Sequence, residues 1–447
     1  MARKQIEVAL LHHTGGGNLG DDASLDVVIF NIQRRWPRAT ITVFSMNPDD
    51  TAKKHGVPSY PIRRYEWGIG YKSDSSKTSP PTKYRPLGWL QTTSNLAIRI
   101  PRAMFREIAF LITSRDILKN FDCLVVSGGG QLTERSGPWG FPYGIWIWLL
   151  MAKSVHLQCV FLNVGAGPLR HPLSAFFVRQ ALFAADYVSF RDRQSETVAR
   201  DLGYSGRSQV FPDNVYSLEV VPPEAGHSKP AAPIAGIAPM PYPFCDPREH
   251  SSANLQAIYE DYIAKIAAFC ASLAKNSYSI EFFGSDVGVD ASAIEDVQTV
   301  LRNRHNVVTP AYEQVQSVRG LVAKMAAMDY VVTCRFHGVV FAHLLNKPVL
   351  AISHHPKVAT LMNDLGLSKY CVEIHNFRPD QLAEIFQSLV SNTQEVKSTM
   401  AASLARYKAQ LAMQLDELFP VDREQMSIST RSGSEGRERI AIVESRF

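Results

Sequence analysis

The sequence lacks the features that mark disulfide scaffolds, membrane-spanning proteins and repeat proteins. Its six cysteines form no Cys-x-x-Cys pair and lie mostly inside apolar runs such as FDCLVV, so we expect buried free thiols in a reducing compartment. The longest apolar run, IWIWLLMA at residues 145–152, is too short to cross a bilayer. No internal repeat is present, and 447 residues suffice for two or three domains.

Neither sign of charge is in large excess. Lysine and arginine number 47 and aspartate and glutamate 42, which gives a formal net charge of +5. This excess suits an anionic small molecule or loose contact with an anionic membrane surface, but it is not the clustered basic footprint of a nucleic-acid-binding protein. The N-terminus, MARKQIEVALLHH, does not resemble a signal peptide. We therefore expect a cytoplasmic protein that binds no nucleic acid and can associate peripherally with the inner face of the membrane.

Short apolar, β-rich segments alternate with longer helical patterns along the chain, which is typical of βαβ units and parallel sheets. The pattern predicts an α/β fold with two Rossmann-like domains facing a cleft. Strands are expected at residues 6–12, 41–46, 122–128, 159–165, 187–192 and 209–213, and then at 234–239, 279–285, 329–334 and 348–353.

The predicted domain boundaries follow proline-rich and polar stretches. The first domain covers residues 1–220 and carries a polar, proline-rich insertion near 66–100, of a length typical of functional lids or mobile loops. Residues 221–233 form the predicted linker. The second domain covers residues 234–420, and residues 421–447 are expected to be a flexible, solvated tail.

The first motif, HTGGGNLGDDASL at residues 13–25, follows an expected strand and opens an amphipathic helix. From Gly15 onwards it matches the Gly-x-Gly-x-x-Gly fingerprint of dinucleotide sites. The two aspartates after the last glycine oppose a dinucleotide, because they would repel a pyrophosphate at the helix N-terminus. In one interpretation an aspartate caps the helix and the glycines form a turn. In the other, Gly16, Gly17 and Asn18 let a ligand approach the backbone closely.

Further glycine loops end two other expected strands. Gly128, Gly129 and Gly130 lie in SGGGQLTE, and a second loop, NVGAGPLRH, follows the next strand. Ligands of open α/β sheets bind at the carboxyl ends of the strands, so these loops predict a wide crevice for a polar ligand. Tight turns alone are the competing interpretation.

A pair of arginines follows another strand, in VSFRDRQS at residues 188–195. Arg191 at a strand end suits recognition of a carboxylate or phosphate. The competing interpretation is an internal salt bridge between Arg191 and Asp192 or another acid.

The most informative motif is VVTCRFHGVVFAHLLNKPVLAISHHPK at residues 331–357. Arg335 and His337 follow an apolar strand and lie at its carboxyl end, and an apolar helix is expected to begin at Gly338. A cation, an imidazole and free helix N–H groups thus converge, which predicts an anion site beside a titratable group. Lys357 follows the next strand and is expected to reach the same crevice. The alternative is that His337 is a structural histidine.

Together, GGGNLGD, SGGG, RDRQS, PDN at 212–214 and RFHGVVFAHLLNKPV with the downstream lysine resemble the polysaccharide pyruvyl transferase family. The resemblance runs from about residue 6 to residue 366 apart from the insertion, and the Arg-x-His-Gly element is its most specific part. Thr333 stands where the family pattern has serine. The resemblance implies a fold like that of the GT-B glycosyltransferases. It also implies transfer of pyruvate from phosphoenolpyruvate onto two hydroxyls of a sugar in a polysaccharide or its precursor, which forms a ketal and releases phosphate.

The implied reaction needs an anion clamp for phosphoenolpyruvate, which is a compact trianion at neutral pH. We expect Arg335, Arg191, Lys357 and the helix beginning near Gly338 to supply it. The acceptor is expected to be a sugar or a lipid-linked oligosaccharide.

The implied reaction also needs an acid and a base. His337 is expected to act as general acid to C3 of the enol or to carry a proton to the departing phosphate, and Asp21 to orient or deprotonate the acceptor hydroxyl. No cofactor besides the donor substrate is expected. No metal is expected either, because the cluster lacks a grouped set of carboxylate or histidine ligands.

Two other functions stay open on the sequence. A GT-B-type glycosyltransferase that uses a nucleotide-sugar would have the same fold and glycine loops, and a non-catalytic carbohydrate-binding relative would share the crevice. The acceptor sugar, the linkage and the oligomeric state are not encoded in any motif that we recognise.

Overall fold

The computed structural model describes residues 6–64, 89–134, 137–220, 232–243 and 254–420, with side chains from residue 104 onwards in the helix that begins at Trp89. The chain divides into two compact units. The first comprises Met1–Gly16 and Arg38–Val210, and the second comprises Gly17–Pro37 and Phe211–Phe447. Residues 65–88 of the predicted insertion, 221–231 of the predicted linker and the predicted tail at 421–447 lie outside the described residues.

The described part of the first unit contains a parallel sheet in the order β3-β2-β1-β4-β5-β6-β7. The strand order reverses between β1 and β4, which pair directly, so this is the topological switch point where ligands of such sheets bind. The strands are β1 (Glu7–Leu11), β2 (Thr40–Ser45), β3 (Ser59–Pro61), β4 (Cys123–Ser127), β5 (Gln158–Val164), β6 (Tyr187–Phe190) and β7 (Gln209–Val210).

Helices cover this sheet and close its core. The central strands are continuous apolar runs because both of their faces are buried; Leu124, Val126 and Phe161, for example, have no exposed surface. The helices that follow β2, β3, β4, β5 and β6 are α2 (Pro48–His55), α3 (Trp89–Leu118), α4 (Phe141–Ser154), α5 (Pro172–Ala184) and α6 (Arg193–Asp201).

The described part of the second unit contains a parallel sheet in the order β12-β11-β10-β8-β9. Here the switch point lies between β8 and β10. The strands are β8 (Ile234–Ala238), β9 (Ser279–Phe282), β10 (Tyr330–Thr333), β11 (Val349–Ser353) and β12 (Cys371–Glu373).

Apolar helix faces complete the core of the second unit. The helices are α1 (Leu19–Arg35), α7 (Leu255–Lys275), α8 (Asp290–His305), α9 (Val318–Ala326), α10 (Phe336–Leu344), α11 (Pro356–Asp364), α12 (Pro379–Ser391) and α13 (Thr393–Leu418), with 3₁₀ turns at Asn214–Ser217 and Ser368–Tyr370. The α/β class with two Rossmann-like parallel-sheet domains is therefore confirmed.

The structure differs from the sequence analysis in three places. Two segments assigned above to the first domain, Gly17–Pro37 and residues 211–220, belong to the second unit, because Leu19, Ala23 and Val215 pack in its core. The insertion becomes helical at Trp89, in a helix that Leu118 anchors in the first core. The short edge strands β3 and β12 were not predicted, because each spans only three residues.

Four cysteines, at 123, 159, 270 and 334, are buried free thiols, and Cys371 is a partly buried one. Cys245 lies outside the described residues. Within the described ranges, no helix combines the length and the apolar character needed to cross a membrane.

Candidate functional site

Helix α1 begins directly after the glycine-rich segment. Its cap is Asn18, whose side-chain oxygen accepts hydrogen bonds from the backbone N–H groups of Gly20 (2.9 Å) and Asp21 (3.3 Å). The interpretation in which an aspartate caps this helix is therefore wrong. Asp21 and Asp22 lie in the first turn, where the helix dipole stabilises negative charge.

The residues before α1 lie alongside the loop that follows β9. The carbonyl oxygen of Gly17 accepts a hydrogen bond from the backbone N–H of Val287 (2.8 Å), and Asn18 forms an isolated antiparallel bridge with Asp286. Gly17 has a φ of +84°, and a Cβ there would lie 2.9 Å from the Val287 oxygen. Glycine is required at this position by the close approach of the chain's own backbone.

The Arg-x-His-Gly element forms the junction between β10 and α10. The backbone N–H of Arg335 donates to Oγ1 of Thr333 at 3.2 Å. A Cβ on Gly338 would lie 2.2 Å from the same Oγ1, so this glycine lets the first turn of α10 pack against the strand end. A role for Gly338 in substrate binding remains a prediction beside this packing role.

The glycine-rich motif at residues 13–25 and the Arg-x-His-Gly motif meet where His337 lies against Gly20. A Cβ on Gly20 would lie 1.9 Å from Nδ1 and 2.0 Å from Cγ of His337. Gly20 lies in the first turn of α1, where most residues are favoured over glycine, so the contact with His337 explains the glycine. Gly20 and His337 are thus parts of one cluster in the second unit.

A buried carboxylate lies beside this histidine. His337 is 8% exposed, and its Nε2 lies 4.0 Å from Oδ2 of Asp213. Asp213 is itself buried and accepts a hydrogen bond from the backbone N–H of Val215 (3.0 Å), which fixes the carboxyl group. A carboxylate beside an imidazole is an arrangement that orients a histidine for proton transfer.

The guanidinium of Arg335 is held by acidic residues. Its Nε (3.1 Å) and Nη2 both donate to Oδ1 of Asp290, which is fully buried, and Nη2 lies 3.6 Å from Oδ2 of Asp286. The other oxygen of Asp290 accepts the backbone N–H groups of Ser285 and Asp286, each at 3.1 Å. An anion that bound Arg335 would share the guanidinium with these carboxylates.

Two side chains from the turn after β11 complete the cluster. Nδ1 of His354 lies 2.8 Å from the carbonyl oxygen of Cys334, and because a carbonyl only accepts, Nδ1 carries the hydrogen. Burial, followed by the charges of Lys357 and Arg335, lowers the pKa of His354 to about 3. His354 is therefore neutral at physiological pH, and Lys357 in the first turn of α11 lies close enough to affect it.

The carboxyl group of Asp21 also lies in an unusual electrostatic environment. Burial raises its pKa to about 7, with further increases from Asp22, Asp286 and Asp213 and a partial decrease from Lys357. Near pH 7 about half of the molecules therefore carry a proton on Asp21. A carboxyl group with this pKa can both donate and accept a proton at neutral pH.

Four helices of the second unit begin in this cluster: α1, α8, α10 and α11 start at Leu19, Asp290, Phe336 and Pro356. Helix N-termini carry unsatisfied N–H groups and positive potential, which stabilises carboxylates or a bound anion. The cluster thus combines four helix N-termini, two cations and several carboxylates, one of which carries a proton near neutral pH.

The predicted glycine loops of the first unit follow β1, β4 and β5, of which β1 and β4 flank its switch point. Gly128 and Gly129 have positive φ values of 63° and 59°, which favour glycine. The N–H of Gly128 donates to Leu162 and the carbonyl of Gly129 accepts from Gly165, so part of this loop is used in internal bonds. A Cβ at Gly16 would meet no atom within 4 Å, so that position has open space.

Arg191 lies in the first unit beside the second glycine loop. Its side chain is 7% exposed, its Nε lies 3.4 Å from Oδ2 of Asp192, and a Cβ on Gly165 would lie 2.6 Å from its Nη2. The internal ion pair considered above is present. Asp192 also caps α6 by accepting the N–H of Ser195 at 2.6 Å. Participation of Arg191 in a donor site remains a prediction.

Sequence reasoning missed several residues of the cluster. Asp286, Asp290 and His354 were not named as candidates, and Asp213 was noted only within the PDN segment. The signal available for Asp286 was its position after a predicted strand, in FFGSD, at the carboxyl edge where the other candidates lie. Asp290 had no such signal, because its role depends on the contact with Arg335.

Among the described residues, no three histidine, cysteine or acidic side chains are arranged to hold a metal ion.

Solved structures with the same fold place this chain in a structural class. A putative UDP-N-acetylglucosamine 2-epimerase from Listeria monocytogenes matches 89% of this chain and 91% of its own, with a TM-score of 0.54 and 10% identity. A glycosyltransferase from Rickettsia africae matches 94% and 100%, with a TM-score of 0.52 and 10% identity. The UDP-GlcNAc 2-epimerase from Neisseria meningitidis matches 88% and 94%, with a TM-score of 0.51 and 12% identity. At these identities the likeness establishes the fold, which is of the GT-B type.

Within that class, residues 18–356 match the family described as polysaccharide pyruvyl transferase. The chain belongs to the polysaccharide pyruvyl transferase family. The matched segment contains Asp21, Arg335 and His337, and Lys357 follows it by one residue. No curated protein sequence matches the chain significantly.

Proposed function

We propose that this protein transfers pyruvate from phosphoenolpyruvate onto two hydroxyls of a sugar in a polysaccharide or its precursor. The observation that carries the proposal is the convergence of Asp21, His337, Arg335 and Lys357 in the second unit of a chain that belongs to this family. These residues provide the two kinds of group that the reaction needs, cations for an anionic donor and groups that exchange protons near pH 7.

The reaction moves one proton to carbon and one phosphate to solvent. C3 of the enol gains a proton while a sugar hydroxyl adds to C2, and that hydroxyl loses its own proton. The C2–O bond to phosphate then breaks as the leaving phosphate takes up a proton, and a second hydroxyl of the same sugar adds to C2 and loses its proton. The products are the ketal and inorganic phosphate, so no oxidant or further cofactor is needed.

Lys357 is proposed to bind the phosphate or carboxylate of the donor, with Arg335 contributing while Asp290 holds it in place. Lys357 already influences Asp21 and His354 electrostatically, which indicates that its ammonium group lies close to both. Arg191, Gly338 and the glycine loop at 128–130 remain proposed contacts of the donor or acceptor.

Asp21 and His337 are proposed to share the proton transfers. A trianion bound beside Asp21 would raise its pKa further, because a nearby negative charge disfavours the carboxylate. Asp21 would then hold its proton in the donor complex, which suits it to protonate C3. His337, oriented by Asp213, would accept the proton of the attacking hydroxyl or deliver one to the phosphate. This division moves the protonation of C3 from His337, where the sequence analysis expected it, to Asp21, and it keeps delivery of a proton to the phosphate as an option for His337.

The second candidate function is transfer of a sugar from a nucleotide-sugar, which the GT-B fold favours. The two candidates differ in donor. In a donor assay, phosphoenolpyruvate with a panel of sugar acceptors should release inorganic phosphate, and UDP-sugars or GDP-sugars should release no nucleotide. Release of UDP or GDP in place of phosphate would establish the glycosyltransferase. A non-catalytic carbohydrate-binding relative would release neither product while still binding the sugar.

The matched control for this assay is Asp201→Asn, an exposed carboxylate in α6. It should retain wild-type phosphate release, while Lys357→Ala should raise the KM for phosphoenolpyruvate. The cytoplasmic location of the protein and the lipid-linked nature of its acceptor remain predictions.

A further inference from the structure

Arg63 is a partly buried arginine of the first unit that follows β3 by two residues, at the carboxyl end of the sheet. Its Nη2 is buried and has no hydrogen-bond partner in the part of the chain that the structure describes. Burial lowers the pKa of Arg63 to about 10, against smaller opposing effects of Glu107 and Tyr143. A desolvated cation with incomplete hydrogen bonding destabilises the protein, and a bound anion would offset that cost.

The backbone that carries this arginine is held firmly. The N–H of Ile62 donates to the carbonyl oxygen of Ser45 at 2.9 Å, and the carbonyl oxygen of Ile62 accepts the indole N–H of Trp148 at 2.8 Å. Ile62 and Trp148 are both buried. The position of Arg63 at the sheet edge is therefore fixed before any ligand arrives, which lowers the entropic cost of binding.

The guanidinium of Arg63 rests on the start of α4. Its Cζ lies 5.9 Å from the ring centroid of Phe141, and that ring stacks on His13 with 3.6 Å between centroids. A Cβ on Gly144 would lie 2.6 Å from Nη2 and 3.1 Å from Nε of the arginine. Glycine disfavours the helix at this position, so Gly144 keeps room for the guanidinium at a cost in helix stability.

We propose that Arg63 binds a negatively charged group of the sugar acceptor, a phosphate or a carboxylate. The planar guanidinium fork matches both groups, and ligands of open α/β sheets bind at the carboxyl ends of the strands, where Arg63 lies. Arg335 and Lys357 of the second unit are the cations proposed above for the donor, which leaves Arg63 for the other substrate. The assignment to the acceptor rests on the proposed function, whereas binding of a sugar anion does not.

Calorimetric titration of the full chain with glucose 1-phosphate, glucuronate and glucose tests this proposal. The wild type should bind at least one of the two anionic sugars at least about tenfold more tightly than glucose, the gain from one charge-assisted contact. Preference for glucose 1-phosphate would identify a phosphate as the recognised group, and preference for glucuronate a carboxylate. Equal binding of the three sugars, or binding of neither anionic sugar, would overturn the proposal.

Arg63→Met removes the charge while a side chain of similar length still packs on Phe141. It should abolish the preference for the anionic sugar, and its melting temperature should equal or exceed that of the wild type because a desolvated cation is lost. The matched control is Arg207→Ala, an exposed arginine before β7 at the opposite edge of the sheet, which should keep the preference. A preference retained by Arg63→Met, or a lower melting temperature of that variant, would contradict a binding role.

Gly144→Ala provides a second test that leaves the charge in place. The added methyl group would displace the guanidinium and should weaken binding of the anionic sugar at least about tenfold, although alanine favours the helix. Titration with phosphoenolpyruvate separates this proposal from the proposed function, because Arg63→Met should bind the donor like the wild type. Loss of donor binding in that variant would overturn the assignment to the acceptor. Failure of every protein to bind phosphoenolpyruvate would contradict the proposed function and leave the sugar-anion site in place.

Discussion

Replacing Asp21 by asparagine should stabilise the protein while abolishing its activity. Folding raises the pKa of Asp21 from 3.8 to about 7. Between these two pH values the folded protein therefore holds a proton on Asp21 that the unfolded chain has already lost. Stability conferred by that proton is therefore lost as the pH rises from 3.8 to about 7. At 1.36 kcal/mol per unit, a neutral asparagine should raise the free energy of unfolding by about 2 kcal/mol at pH 5 and at most about 4 kcal/mol at pH 8.

Urea denaturation of the wild type and Asp21→Asn at both pH values measures this difference. The exposed Asp201→Asn serves as the control and should leave the free energy of unfolding unchanged at both. Phosphate release from phosphoenolpyruvate, measured on the same proteins, should fall by about 10²–10⁴ in Asp21→Asn alone, the usual contribution of a general acid or base. A variant that is less stable than the wild type at pH 8, or a difference independent of pH, would refute the proposed environment of Asp21.

Three other substitutions test the cluster and its supports. Gly20→Ala should displace His337 and lower kcat by about 10²–10⁴ with the far-ultraviolet circular dichroism unchanged, and a fully active variant would show that the ring position is not needed. Arg335→Ala should cost about 3–5 kcal/mol in urea denaturation because it leaves the buried Asp290 unpaired, whereas Arg335→Ala with Asp290→Asn should recover part of that loss. Burial lowers the pKa of His343 to about 4, so the unfolded chain takes up a proton first as the pH falls. Wild-type stability should therefore drop by about 2 kcal/mol more than that of His343→Gln between pH 7.5 and pH 5, and equal drops would contradict this reasoning.

The strand ends of the candidate site could be predicted from the sequence because buried parallel strands are continuous apolar runs. The run before Arg335 and the run before His354 are both of this kind, so their carboxyl ends were located correctly. The edge strand β12 could not be located, because Cys371–Glu373 is too short to show a pattern.

The partners of the charged residues could not be predicted, because they come from distant parts of the chain. Asp290 binds Arg335 across 45 positions of sequence, and nothing local at Asp290 indicates this contact. The glycines were identified correctly as sites of close approach. At Gly17, where a ligand had been expected, the approaching group is Val287 of the same chain, and at Gly20, for which no ligand was expected, it is His337.

The assignment of α1 to the second unit has a similar cause. Its apolar residues predict that the helix packs on a core, but periodicity does not specify which core. Leu19 and Ala23 pack in the core of the second unit, which assigns the helix to that unit. That packing is what brings Gly20 to His337. The glycine-rich motif at residues 13–25 and the Arg-x-His-Gly motif therefore meet through a tertiary contact that neither motif encodes.

Donor binding at equilibrium tests the central claim most directly, because it needs no knowledge of the acceptor. Calorimetric titration of the full chain with phosphoenolpyruvate, UDP-sugars and GDP-sugars should show heat of binding for phosphoenolpyruvate alone. Lys357→Ala should weaken that binding by at least about tenfold, the loss of one charge-assisted contact. Binding of a nucleotide-sugar with no binding of phosphoenolpyruvate would contradict the proposed pyruvyl transfer.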